Sequence, residues 1–371
     1  MKGQWIGEFQ GSNLAGKLTV DVDEFENGFR GRIAVFGDQN VLPPLFGFFE
    51  TASKLNPAQF SVNVLPAHPQ TTNPMQWEEV SKLFPNSQIA RNVQVTATWN
   101  VDALTLNWTS DVGGHGQAVL PASASGTLSE YPENPISWDD FKKRIIALEP
   151  RHFVFRGQRK PRKLRTSYHR TGRANLTGYT TVDIPALHQH ISGRTRHLFA
   201  LKDRLEYGAF LHLAQHHGYP TPLLDWSYSP FVAAFFAFRS VRNSEAAKAS
   251  DDDRVRIFKF DKAAWQKAFA NESNIDALRL HLSFLEFLAV DNERMIPQQA
   301  LSSVTNIDDV ETYIRMREQQ KNCTYLEVYD LQLKDRRAIM RELSMMGITA
   351  GSLFPGLDGS CEELKERYFD D

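Results

Sequence analysis

Two hydrophobic periodicities divide the chain. Residues 1 to about 133 alternate between apolar and polar positions in short runs, among them Lys17-Leu-Thr-Val-Asp-Val, part of Gly31-Arg-Ile-Ala-Val-Phe, Asn92-Val-Gln-Val-Thr-Ala-Thr-Trp and Leu104-Thr-Leu-Asn-Trp-Thr. A period of two turns one set of side chains toward a core and the other toward water, which predicts strands. Asn100-Val-Asp-Ala lies between the last two runs and predicts a hairpin turn. Glycines at 3, 7, 11 and 16, and again at 113, 114, 116 and 126, suit tight corners. This half is therefore expected to be an all-β small barrel or sandwich. Trp5, Phe9, Trp99 and Trp108 read as its core; the other reading is a ligand cavity or sensing surface.

The period changes after Tyr131-Pro-Glu-Asn-Pro-Ile, where two prolines resist regular structure and mark a linker. Ser137 is placed to cap a helix whose first turn holds Asp139 and Asp140. Leu198 to His216 is apolar at helical spacing, with Gly218 as its stop. Pro230 to Arg239 opens with proline at a first-turn position and continues as an aromatic and alanine helix. Ile257-Phe-Lys-Phe and Tyr325-Leu-Glu-Val-Tyr predict strands, and Asn243 to Arg254 an exposed loop. The expected fold class is α+β. A β-rich domain at 1–133 precedes a mixed α/β domain at 134–371, with a core at 150–305 and a C-terminal strand and helix segment at 306–371.

Composition sets limits without choosing a function. The 371 residues are 42% hydrophobic and 23% charged, with a formal net charge of −2, which gives no global case for nucleic acid or an anionic membrane. Cys323 and Cys361 are too few for a disulfide framework. The most apolar run, Phe231 to Phe238, is far short of the roughly 20 residues of a membrane span. A cytoplasmic protein is expected. One local bias stands out: residues 151–175 hold nine Lys and Arg and no Asp or Glu, a basic stretch suited either to solvent or to rimming a polyanion.

Three constellations carry chemistry. In Phe153-Val-Phe-Arg-Gly-Gln158 a strand-like run delivers Arg156, whose rigid fork of donors matches phosphate or carboxylate, and Gly157, which would let a ligand approach the backbone. In Gln215-His-His-Gly-Tyr-Pro-Thr221, followed by Leu223-Leu-Asp-Trp-Ser227, a helix ends, turns, and feeds a strand carrying Asp225 and Ser227 to the mouth of the next helix. Such a junction places polar groups beside helix N-terminal amides. His212 and His216 are four apart on one helix face, and with Asp225 they raise a metal nuclease reading; Leu213 stands where a zinc-protease helix has Glu, so no metal residues are assigned. The third constellation is Asn292-Glu-Arg-Met-Ile-Pro-Gln-Gln-Ala-Leu301. No serine-hydrolase elbow, Walker loop or Gly-x-Gly-x-x-Gly is present.

Together these blocks resemble the FRG domain family. The resemblance rests on Phe155-Arg156-Gly157-Gln158, then Ser167 and Arg170, then Gln215-His216-His217-Gly218, Pro220-Thr221, Leu223 to Ser227, Pro230 and Ala233 to Ala237. It continues through Asn292, Arg294 and Gln298 to Leu353-Phe-Pro-Gly-Leu-Asp358, covering about 137–365. The chain departs from the family pattern at Pro222, Ala300 and Ser302. The order of parts is also similar, more distantly, to ADP-ribosyltransferases. That analogy implies an NAD-using transferase or glycohydrolase with Arg156, Asp225, Ser227 and Gln298 as catalytic residues. Gly157, Gln158, Ser167, Arg170, Gln215, His216, His217, Thr221, Trp226 and Arg294 would bind the ligand. Arg156 would grip the pyrophosphate or ribose, Thr221 to Ser227 would wall the nicotinamide pocket, and Gln298 on a strand, or Glu327, would contact ribose or activate the acceptor. The implied partners are a nucleotide or dinucleotide and a protein or RNA acceptor, with no membrane, in an antiviral effector that uses its β domain as sensor. The rival reading is a non-catalytic nucleotide-, RNA- or protein-binding module.

Overall fold

The computed structural model describes residues 1–12, 14–38 and 41–369. The alternating half forms β1 (Gly3–Gly11), β2 (Ala15–Glu24), β3 (Phe29–Phe36), β4 (Leu45–Glu50), β5 (Ala58–Asn63), β6 (Leu65–Pro66), β7 (Asn92–Trp99), β8 (Ala103–Ser110) and β9 (His115–Pro121). They pair antiparallel in the order β5-β7-β8-β9-β1-β2-β3-β4-β6, a sheet curled into a nearly closed barrel rather than a sandwich. Its free edges meet at Gly47, where a Cβ would collide with the Val62 side chain and the Asn63 carbonyl. The expected hairpin is present: Asn100 Oδ1 accepts from Asp102 N and Ala103 N at 2.9 and 2.8 Å, the Asx turn that asparagine favours. Trp5 and Phe9 are buried in the barrel core, with Trp99 and Trp108 packed at its margin.

The second half is organised on β10 (Phe153–Gln158), β11 (Leu223–Ser227), β12 (Arg254–Asp261), β13 (Leu282–Leu285), β14 (Ala300–Thr305) and β15 (Leu326–Gln332). Their order is β13-β14-β11-β10-β12-β15, with every pairing antiparallel. One apolar cluster packs helices Trp138–Ile146, Pro230–Phe238 and Arg336–Met345 on one face. A second, around Trp226, Phe260 and Trp265, fills the other face. A third holds helix Arg204–His216 beside the sheet.

Two elements differ from expectation for identifiable reasons. The helix expected from Leu198 starts at Arg204, because the Asp203 carboxylate accepts from Leu205 N and Glu206 N and caps it there. It stops as expected, with Gly218 at φ +85°. The loop expected at Asn243–Arg254 contains a short helix, Asn243–Ala246, which buries Ala246 in the core. The linker is irregular but pinned, since Asn134 N and Nδ2 donate to Asp330 and to the Val328 carbonyl at 2.9 and 2.8 Å. The segment after residue 305 is integral, because it contributes β15 to the sheet. Among the described residues no helix is long and apolar enough to cross a membrane.

The outward polar positions of β1–β3 face the second half. Asp21 and Arg32 pair at 3.0 Å with almost no exposure. Gln4 Nε2 donates to Asp21 at 2.8 Å and to the Asn306 carbonyl at 2.7 Å, and Gln4 Oε1 accepts from Asp308 N at 2.9 Å. Asp23 accepts from Ala174 N, Asn175 N and Arg173 Nε. Charge is complementary across this contact: residues 1–133 hold 7 Lys/Arg and 13 Asp/Glu, whereas residues 134–371 hold 35 and 31.

Three buried titratable groups near this contact set a pH dependence. Burial pushes the His169 and His281 imidazoles down to about 4, and pushes the Glu311 carboxyl up to about 7. A depressed histidine binds fewer protons folded than unfolded, so its stabilisation is lost as pH falls from the unfolded value near 6.5 toward 4, by about 3 kcal/mol each. Glu311 binds more protons folded than unfolded between its ordinary value and 7, so it opposes that loss over most of the same window. Acidification from pH 6.5 to 4.5 should lower the melting temperature, and should do so more steeply in Glu311→Gln. Thermal melts across that range check this; an equal or shallower slope in the variant contradicts it.

Candidate functional site

The cleft begins where two neighbouring strands part. β10 and β11 share a single paired position, Phe155 with Ser227. Beyond it Arg156 Nη1 donates to the Asp225 carbonyl at 2.7 Å, spanning the gap where the ladder is open. Strand alternation then sorts β11: Leu224 and Trp226 turn into the core, and the Asp225 carboxylate turns out, with its side chain 53% exposed.

Helix Arg204–His216 lays His212, Gln215 and His216 on one face along this opening, as an i, i+3, i+4 spacing requires. Thr221 Oγ1 donates to Gln215 Oε1, which fixes the amide so that Nε2 donates to Asp225 Oδ1 at 2.5 Å. Ser167 Oγ donates to the Thr221 carbonyl at 3.1 Å and accepts from Thr221 N at 2.9 Å, bracing the turn. Asn292, buried, sits between the histidines: its Nδ2 faces His212 Nδ1 at 3.1 Å and its Oδ1 faces His216 Nδ1 at 2.8 Å. The tautomers follow from that network. His212 carries its proton on Nε2, 3.9 Å from Asp225 Oδ1, and His216 keeps a lone pair on Nε2. Burial lowers both imidazole pKa values, so both are neutral at pH 7.

Arg294 closes the opposite wall, its guanidinium 5.0 Å from the Phe354 ring centroid. Gln298 Nε2 donates to the Leu353 carbonyl at 2.9 Å and ties this wall to the C-terminal segment. The cleft encloses about 320 Å³, within the range of small-molecule sites. Its charge is unbalanced, with two guanidinium groups, one carboxylate and neutral imidazoles. Among the described residues neither Arg156 nor Arg294 has a carboxylate within 4 Å, and each has a buried Nε without a partner. Desolvation is the main force lowering both arginine pKa values. A guanidinium stays charged regardless, so both groups bring positive charge to the cleft.

Residues 151–246 match the family model of the FRG domain. The chain carries an FRG domain. No curated protein matches it. The matched span supplies Arg156, helix Arg204–His216 and β11, whereas Asn292, Arg294, Gln298 and Phe354 complete the FRG cleft from beyond it.

The structure gathers Arg156, Gly157, Gln215, His216, Asp225, Trp226, Ser227, Arg294 and Gln298 around the cleft. Gln158, Ser167, Arg170, His217 and Thr221 do not line it. Ser167 and Thr221 act one layer behind, orienting Gln215. Arg170 is at the edge, donating to the Arg165 carbonyl at 2.7 Å. Several expected roles are corrected. The Trp226 indole is in the core, donating to Ser303 Oγ at 2.9 Å. The Ser227 hydroxyl donates to the Gln298 carbonyl at 2.7 Å and accepts from Ser229 N at 2.9 Å, so it is engaged in holding the junction. Gly157 makes room for a helix rather than a ligand, since a Cβ there would collide with the Ala233 carbonyl. Gln298 lies in the turn before β14, not on a strand. Glu327 faces Lys259 at 3.0 Å and takes no part in the cleft. Among the described residues no three His, Cys, Asp or Glu side chains are gathered as metal ligands.

The basic stretch is also largely neutralised. Arg151, Arg159, Lys163, Arg165 and Arg173 each meet a carboxylate from another part of the chain. Sequence reasoning missed Phe236, Met295 and Phe354 as cleft residues. Phe354 belongs to the C-terminal block of the family resemblance, which was the available signal.

Two substitutions separate framework from function. Gly157→Ala should cost about 1–3 kcal/mol, because helix Pro230–Phe238 must lift off β10. Arg156→Ala removes no ion pair and should cost no more than about 1 kcal/mol, while abolishing binding of pyrophosphate or ADP-ribose. Thermal melts and titration calorimetry measure both; a loss near 3–5 kcal/mol for Arg156→Ala would show a buried ion pair instead.

Proposed function

We propose that the FRG cleft is the active site of an NAD-using glycohydrolase or ADP-ribosyltransferase. The observation that carries this reading is the pair of unpaired guanidinium groups, Arg156 and Arg294, beside one oriented carboxylate, Asp225. The arginines suit the pyrophosphate. The volume suits the nicotinamide–ribose end, with the adenosine extending through the open mouth toward Arg170 and His217. Cleavage of the bond between ribose C1′ and nicotinamide sends the bonding pair to nicotinamide and leaves positive charge on the ribose ring. Asp225 is placed to stabilise that charge, with Gln215 keeping the carboxylate in position. The oxygen of water or of a protein or RNA acceptor then bonds to C1′, and its proton passes to Asp225 or to the free Nε2 of His216.

A second reading, a module that holds a nucleotide without turnover, is favoured by the engagement of the Ser227 hydroxyl, which leaves no free hydroxyl nucleophile in the junction. One experiment distinguishes the two. Purified protein incubated with NAD should release nicotinamide, measured by chromatography. Asp225→Asn should reduce release by about 10²-fold or more, as loss of a charge-stabilising group does. ADP-ribose binding without nicotinamide release, in the presence of protein and RNA acceptors, would establish the second reading.

A further inference from the structure

The barrel is filled at one end and hollow at the other. At the filled end Phe49 stacks on Phe60 at 4.2 Å and Phe29 meets Trp99 edge-on at 5.4 Å. Toward the other end aliphatic Leu18, Ile33, Val35 and Leu106, with the rings of Phe9 and Trp108, surround a cavity of about 500 Å³. A packed interior leaves few voids larger than a water molecule, so a space of this size is not a packing defect. Barrels of eight or more strands have interiors wide enough for one small ligand.

The lining defines the chemistry. Among the described residues no Lys, Arg, Asp or Glu side chain lines the cavity. Val41 and Val112 stand about half exposed at its mouth. The polar lining is uncharged or imidazole: Asn86, Gln88 and His115 join two serines, of which Ser110 Oγ accepts from Gly114 N at 2.9 Å and Ser87 Oγ donates to the Val41 carbonyl. Trp108 also lines the cavity, meeting Phe9 edge-on at 5.9 Å.

We infer that the barrel is a second binding site, for one uncharged, mainly hydrocarbon or aromatic small molecule. An ionised ligand would lose its hydration there without gaining a counter-ion, which excludes fatty acids in their charged form and nucleotides. This site is separate from the FRG cleft and does not depend on what that cleft binds.

The neutral dye N-phenyl-1-naphthylamine tests the inference on the full chain. Its fluorescence should rise saturably with one site, and decan-1-ol should displace it while decanoate and pyrophosphate do not. Val35→Trp and Val93→Trp fill the cavity from two half-buried wall positions and should each weaken dye binding by about tenfold or more. Arg156→Ala should leave it unchanged. Absence of saturable binding, displacement by decanoate as readily as by decan-1-ol, or full binding in both tryptophan variants with native melting curves would overturn the proposal. If neither variant folds, the displacement series on the unaltered protein decides alone.

Discussion

Helix Pro230–Phe238 rests directly on β10, and it can do so only because residue 157 has no side chain. Ser229 caps the helix and Pro230 opens it, so the chain leaves β11 and enters the helix within three residues. Close to that tight exit β10 and β11 share one paired position, Phe155 with Ser227, and separate beyond it. The opening, the outward turn of Asp225 and the reach of Arg156 across the gap all follow from this contact. Ser227 secures the same junction with its hydroxyl, which is why an apparently reactive side chain acts as framework.

The energetics of the cleft are set by desolvation. Removing a guanidinium from water without a counter-ion is costly, and a folded chain normally avoids it by pairing. Elsewhere this chain does pair its buried cations: Arg32 with Asp21, Arg256 with Asp330, and Lys163 with Glu130 and Asp309. Among the described residues Arg156 and Arg294 have no carboxylate within 4 Å, and they line the cleft where neutral histidines and an amide network also converge. Around them the order is high. Ser167, Thr221, Gln215 and Asp225 form one continuous hydrogen-bonded line, so the carboxylate is presented in a fixed orientation before any ligand arrives.

Much of this was legible in the chain itself. Period-two runs located β2, β3, β7 and β8, and Ser137, Gly218 and Pro230 marked helix ends by local chemistry that needs no tertiary partner. Arg156, Gln215, Asp225 and Arg294, expected as site residues, line one cleft. What was illegible depends on direction and distance. Whether Trp226 faces inward is decided by the parity of β11 relative to Asp225. Whether Ser227 is free depends on the Gln298 carbonyl, 71 residues away in sequence. The basic run 151–175 looked like a polyanion rim because its counter-ions, Asp23, Glu245, Glu286, Asp308 and Asp309, are remote in sequence.

The contact between the halves also limits what can be learned from fragments. Asp23 and Glu130 belong to the β-rich half, yet they neutralise Arg173 and Lys163 of the other. A protein trimmed to residues 134–371 would uncover those cations and change from net acidic to net basic. It would then adhere to nucleic acids through a surface the intact chain never presents, and such an affinity would be a product of the trimming.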